Sequence, residues 1–304
     1  MRILITGAGG YVGQSLIPIL LASGHTIVGT SRNPDRQRET ESRIDWIRWN
    51  YQDGPPPAEV MQTVGAVIHL MGENIGAGRW TEKRKREIAD SRIVSTQRLV
   101  AALPSNVRHF ISASAMAFYP DDEDRCYDES YDPTTAGQRP NTFLGKIVHN
   151  WEAQAGQAAT ENRRVVYLRT GLVLGAEGLL SKLLPVYKMG LGGPIGSGQQ
   201  WCSWIHIEDV VKAIAFALDD NSIQGPVNLS VPQPCRFEEF SRTLAATLHR
   251  PHFARVPEFV IRLAMGDAAE LPLSSVCMRP HVLERAGFVF EYTGLQSALK
   301  NLTQ

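Results

Sequence analysis

The chain is poor in cysteine. Four thiols, Cys126, Cys202, Cys235 and Cys277, are spread over 304 residues. No two form a C-x-x-C pair, so neither a zinc site nor a disulfide framework is expected. Scattered thiols in a chain this long fit a reducing compartment. Net charge is also lacking, since 31 Lys and Arg balance 31 Asp and Glu. That balance argues against broad binding to nucleic acid or to anionic membranes, while leaving room for one local basic pocket. No apolar run reaches the roughly 18 residues of a membrane span. Met1-Arg2 leads straight into Ile3-Leu4-Ile5 and Thr6-Gly7, too short for the apolar region of a signal peptide. Internal repeats and low-complexity tracts are missing too. The expectation is a soluble, cytoplasmic monomer or homodimer that binds no membrane and no nucleic acid.

What is present is an alternation of strand and helix. Ile3–Ile5 reads as a short apolar strand, Gly7–Gly13 as a glycine-rich turn and Gln14–Ser23 as an apolar helix ending at Gly24. Ile27-Val28 begins a second strand, which makes a βαβ unit within about 30 residues. Further strands are expected at Ala66–Leu70, His109–Ser112 and Val165–Leu168, with helices over Thr81–Leu103 and Leu144–Ala159. After Thr170 the rhythm changes. Seven glycines between Gly175 and Gly198 read as loops around one helix near Leu179–Met189. Ile205–Leu218 reads as a strand end entering a helix, and Pro226–Val231 as one more strand. Helical stretches follow at Phe237–Leu248 and Pro257–Leu263, and the tail holds Val282–Ala286, Gly287-Phe288 and a final helix at Gly294–Leu302. The acidic run Asp121–Asp124 reads as a solvated loop. The fold class is α/β, a Rossmann-type doubly wound parallel sheet with a small discontinuous C-terminal substrate lobe. Residues 1–174 plus 205–231 would form the dinucleotide-binding domain, and 175–204 plus 232–304 the lobe.

The sharpest motif is Thr6-Gly7-Ala8-Gly9-Gly10-Tyr11-Val12-Gly13, spaced G-x-x-G-x-x-G between the first strand and the first helix. Glycines there let the chain turn tightly and bring backbone N–H groups to a pyrophosphate at the helix N-terminus. Gly7, Gly10, Tyr11, Val12 and Gly13 are therefore candidate cofactor residues. The end of the second strand chooses between cofactors, because a carboxylate there accepts from the ribose of NAD and a basic group pairs with the 2′-phosphate of NADP. It reads Gly29-Thr30-Ser31-Arg32, and no carboxylate appears before Asp35. Ser31 and Arg32 point to NADP(H).

Four stretches carry a family resemblance. They are Thr6–Gly13; Leu70–Ile75 with Arg79-Trp80 and Ser91-Arg92; Leu191–Gly198 followed by Trp204–Ile207; and Leu283–Phe290. Through them the whole chain resembles the extended short-chain dehydrogenases/reductases, and within them an atypical, epimerase-like branch described as NADP-dependent oxidoreductases. The resemblance implies further cofactor contacts at Leu70, Met71, Glu87, Arg92 and Val173. It also implies a Tyr-x-x-x-Lys pair for proton exchange, with a serine or threonine nearby. No tyrosine of this chain has a lysine four residues later. The matching region reads Thr142-Phe143-Leu144-Gly145-Lys146, with threonine where the tyrosine should be. Ser114, Tyr119 and Lys146 are the candidate catalytic residues, with Ser112 as a second hydroxyl.

Other polar residues rank lower. His206 in Trp204–Asp209 reads as a helix-start residue, Trp80, Trp201 and Trp204 as core or pocket rim, and Gly190–Gly198 as a loop beside the active site or a structural turn. His69 and His149 lack metal-ligand partners at useful spacing, and no metal site is expected. The expected function is NADP(H)-dependent oxidoreduction of a small polar molecule. The alternatives are a nucleotide-sugar epimerase and a non-catalytic NADP-binding redox sensor.

Overall fold

A computed structural model of the chain describes residues 1–133, 135–137 and 140–303. Seven strands form one sheet: β1 (Arg2–Thr6), β2 (Thr26–Ser31), β3 (Asp45–Arg48), β4 (Ala66–His69), β5 (His109–Ala115), β7 (Arg164–Thr170) and β11 (Gly225–Leu229). Their order is β11-β7-β5-β4-β1-β2-β3, and every pair is parallel. The chain runs outward from β1 to β3, then returns to lay β4 beside β1. The crevice at the C-terminal ends of β1 and β4 is thus the topological switch point, where open α/β sheets bind ligands.

Both faces of the sheet are buried, which explains its continuous apolar runs. Ile3 and Ile5 face one cluster with Ile27, Ile68, Val166 and Leu229. Leu4, between them, faces the other with Val28, Val67, Phe110 and Val165. Helices α1 (Tyr11–Ala22) and α8 (Ile207–Asp219) cover the first face, and α5 (Ile93–Ala101) and α6 (Phe143–Gly156) the second. The edge carries α2 (Pro34–Thr40), β3 and α3 (Ala58–Met61). The expected helix Thr81–Leu103 is two helices, α4 (Glu82–Asp90) and α5. The carbonyl of Ile88 accepts from Ser91 Oγ and from the Arg92 guanidinium, while the Arg92 N–H turns to Ala89, so the helical ladder breaks there.

The second lobe is made of short pieces. Its core joins α7 (Leu179–Lys188), α9 (Phe237–Thr247) and α13 (Leu295–Thr303) through Leu180, Tyr187, Phe240, Leu244 and Leu299. Three two-stranded ladders stitch it to the sheet: β8 (Leu172–Leu174) with β10 (Trp204–His206), β9 (Trp201–Cys202) with β12 (Cys235–Arg236), and β6 (Cys126–Tyr127) with β13 (Cys277–Met278). Helices α10 (Glu258–Met265), α11 (Glu270–Leu273) and α12 (His281–Arg285) complete it. The tail returns, with Leu283 buried in the first sheet cluster and Phe288 and Phe290 packed on it. That stretch packs against the sheet. The Asp121–Asp124 run is likewise more than a solvated loop, since Asp121 accepts from Ser274 Oγ and from the Ser275 N–H of the lobe.

One cysteine expectation is corrected. Cys126 and Cys277 lie 151 residues apart, and the parallel β6–β13 ladder brings their Cα atoms to 4.4 Å in a disulfide. Sequence spacing could not reveal a pair made by tertiary pairing, and the reducing-compartment argument loses its ground. Cys202 and Cys235 are free and buried. Denatured, unreduced protein should show two reactive thiols, rising to four after reduction. Cys126→Ser should lower stability by about 2–4 kcal/mol, because the bridge closes a long loop of the unfolded chain. Four thiols without reduction would remove the bridge from the account.

Candidate functional site

At the switch point the glycine turn is shaped as a cradle. Gly7 has φ +72°, and a Cβ on it would lie 2.8 Å from the Leu70 carbonyl. A Cβ on Gly13 would lie 2.5 Å from the Gly7 oxygen. Neither position admits a side chain. Gly10 starts α1 with no side-chain cap, and the first turn holds no carboxylate. Its free N–H groups and helix dipole therefore suit an anion. Tyr11 and Val12 sit in that turn, and Leu70 and Met71 follow β4 directly opposite. The Tyr11 hydroxyl accepts from the Ala176 N–H at 2.8 Å, tying the cradle to the loop after β8. Val173 lies in β8 and packs half-buried on the first cluster.

Ser31 ends β2, and Arg32 beside it is exposed, its side chain 78% accessible. The guanidinium of Arg32 stands 3.7 Å from Glu73, which also meets Arg84, and Arg84 in turn meets Glu87. A charged string therefore crosses the crevice beyond β2 and β4. Arg92 does not join it. Its guanidinium donates to the Ile88 and Glu73 carbonyls and lies over the Trp151 ring, and burial pushes it down to about 10. Buried and matched to carbonyls, Arg92 fixes the loop after β4, which is a positioning task. Glu87 is likewise engaged with Arg84 and Lys83.

Beyond the C-terminal ends of β5 and β7 opens a cavity of about 710 Å³. Its walls come from Ala115–Asp121, the start of α6, Thr170–Leu172, α7, and the lobe around Trp201 and Met265–Leu271. The catalytic candidates are placed unevenly around it. Lys146 is exposed and is absent from the described lining, because the cleft-facing positions of α6 are Thr142, Leu144, Gly145 and His149. Ser114 is buried, and its hydroxyl donates to Glu152. Ser112 is buried and donates to the neighbouring Ala113 carbonyl. Tyr119 does line the cavity. Its hydroxyl, however, accepts from Arg169 at 3.0 Å and faces Asn228 Oδ1 at 2.8 Å. Burial pushes that phenol up to about 12, with Arg169 pulling the other way. Lys146 thus lies outside the described lining, Ser114 and Ser112 are bonded within the protein, and Tyr119 is held in a buried network.

That network was not read from sequence. Arg169 binds Glu152 through two parallel 2.9 Å bonds, both side chains buried, and lies over the Phe118 ring. Two further polar groups stand at the cleft, Thr142 and His149. Thr142 starts α6, accepting from the Gly145 N–H, and hydrogen-bonds Glu270 of the lobe. Burial raises the Glu270 carboxyl, while the Leu144 N–H and Thr142 oppose the rise. His149 bonds the Phe118 carbonyl and stacks on its ring, and burial lowers its pKa.

Other residues settle into structural places. His206 caps α8 and stacks on Tyr292, in the helix-start role expected of it. His69 is buried between Thr6 and Thr96, with burial holding it down at about 3. Trp201 lines the cleft, whereas Trp80 and Trp204 are core. The glycine loop reaches the cleft through Ile195. Among the described residues no group of three or more His, Cys, Asp or Glu could hold a metal ion. None of their helices is long and apolar enough to cross a membrane.

A switch-point cradle beside a deep cleft defines a Rossmann-type, doubly wound α/β protein. The chain belongs to the NAD dependent epimerase/dehydratase family, within its atypical extended short-chain dehydrogenase/reductase branch, and the family profile matches residues 3–230. A second profile, a domain of unknown function (DUF1731), matches residues 256–302. The chain is 35% identical to the epimerase family protein YfhF of Bacillus subtilis, covering 99% of this chain and 98% of that one. Human epimerase family protein SDR39U1, solved with NADPH, is 30% identical with a TM-score of 0.87 over 99% of both chains. UDP-glucuronic acid 4-epimerase of Bacillus cereus shares the fold, with a TM-score of 0.76 over 99% of this chain and 98% of that one at 18% identity.

Proposed function

We propose that the chain is an NADP(H)-dependent oxidoreductase. The observation that carries the reading is the cradle at Gly7, Gly10 and Gly13, paired with Arg32 and no carboxylate at the end of β2. The residues fit the dinucleotide. First-turn N–H groups of α1 would hold the pyrophosphate, Ser31 and Arg32 the 2′-phosphate, and Val173 would flank the nicotinamide. The relative solved with NADPH supports the choice of NADP(H) over NAD. Bound there, the cofactor supplies a hydride to a carbonyl, or takes one from an alcohol. Arg92 holds the loop after β4 in place, and Arg169 holds Tyr119 and Glu152 beneath the cleft floor.

A second reading, an NADP-binding redox sensor without turnover, is favoured by one observation. No phenol or ammonium of the expected pair stands free at the cleft, because Tyr119 is hydrogen-bonded inward and Lys146 faces solvent. The two readings separate on one experiment. Protein-bound NADPH is challenged with a panel of aldehydes and ketones while nicotinamide fluorescence is followed. Oxidation that depends on one of the compounds supports the enzyme. Tight NADPH binding with no oxidation by any compound supports the sensor.

A further inference from the structure

Resting on that reading of the site, we infer that the cleft takes an uncharged, largely apolar carbonyl compound and excludes nucleotide sugars. Two independent observations carry this. The first is charge. Among the described lining residues, Asp121, Glu177 and Glu270 are carboxylates, and Lys182 is the one ammonium. Lys182 donates to the Gly76 carbonyl across the mouth of the cleft. A nucleoside diphosphate brings two phosphate charges, which require cationic or amide donors directed at them. Here they would meet excess negative charge in a partly desolvated site, where like charges repel most strongly.

The second observation is donor supply. Most polar side chains of the wall already serve the protein. Gln200 Nε2 donates to the Ile195 and Pro272 carbonyls, each at 3.1 Å. Ser203 donates to the Val276 carbonyl at 2.7 Å, and Ser274 to Asp121 at the same distance. Thr142 and His149 are engaged as described above. A sugar rich in hydroxyls would find few open partners and would lose its hydration without replacement. What remains open to a ligand is chiefly apolar, namely Met116, Leu144, Leu179, Leu183, Phe237 and Met265, with Asn74, Asn141 and the uncapped start of α7 as the polar exceptions. Apolar walls with few directed polar groups bind by removing apolar surface from water. On this inference the substrate is less polar than the small polar molecule expected from the sequence.

The test uses full-length protein saturated with NADP⁺ and reads the fluorescence of Trp201, which lines the cleft. The probes are 2-undecanone and UDP-glucose, with Trp201→Phe as the signal control. The ketone should give a saturable change that Trp201→Phe removes, and UDP-glucose should give none. Leu183→Arg should weaken the ketone by about tenfold or more, because a charge in that wall must be desolvated. Should that variant fail to fold, Leu183→Ala should weaken the ketone about threefold to tenfold. Saturable UDP-glucose binding overturns the inference, and so does binding of neither probe. Failure of NADP⁺ to bind in the same samples would instead bring down the cofactor reading on which this one rests.

Discussion

Glu152→Ala should destabilise the folded protein by about 3–5 kcal/mol, the loss seen when one partner of a buried ion pair is removed. Glu152 and Arg169 are both buried and share two 2.9 Å bonds. Alanine would leave the Arg169 guanidinium uncompensated beneath the cleft, and Ser114 without its acceptor. The cost comes from that unpaired charge, not from the attraction of the pair. Replacing both partners with apolar residues of similar size, as in Glu152→Leu with Arg169→Met, should recover most of the loss. Denaturant unfolding of the single and double variants decides the point. Single and double variants of equal stability would show that the pair does not act as a unit.

Arg32→Ala should weaken NADPH binding by about tenfold to a hundredfold, the range of one charge-assisted hydrogen bond of about 1.5–3 kcal/mol, and leave NADH nearly unchanged. The side chain is exposed and, among the described residues, meets Glu73 alone as an ion-pair partner at 3.7 Å, so removing it disturbs little else. The opposite change is expected of Glu73→Gln, which frees Arg32 from its competitor and should strengthen NADPH binding. An equal loss for both cofactors on Arg32→Ala would remove Arg32 from the 2′-phosphate site. Competitive titrations with the two reduced cofactors measure this directly.

Six of the seven sheet strands were legible in the sequence because they are buried; Asp45–Arg48 was not, since Trp46 is its one buried residue. Ile3-Leu4-Ile5 and the apolar part of Val165–Leu168 need no alternation to be seen. The cradle was legible because close backbone approach at Gly7 and Gly13 admits glycine alone. The break at Ser91-Arg92 was not, since both halves keep helical composition and the interruption comes from side chains capturing the Ile88 carbonyl. The ladders of the lobe are two or three residues long, below the length at which a pattern exists. Lys146 was placed by counting from a family motif, and α6 turns that position to solvent while Leu144 and His149 face the cleft. The Glu152–Arg169 pair did leave a signal. Glu152 shares the apolar face of α6 with Val148 and Ala155, and Arg169 interrupts an apolar strand. A carboxylate and a guanidinium on two buried surfaces call for each other.

The central claim is that the switch-point cradle and Arg32 make an NADP(H) site. Titrating the wild-type protein with NADPH and with NADH, each followed by nicotinamide fluorescence, tests it most directly. The account predicts saturable NADPH binding, tighter than NADH by about tenfold or more, in line with one charge-assisted contact to the extra phosphate. Equal affinity for the two, or binding of neither, would contradict it.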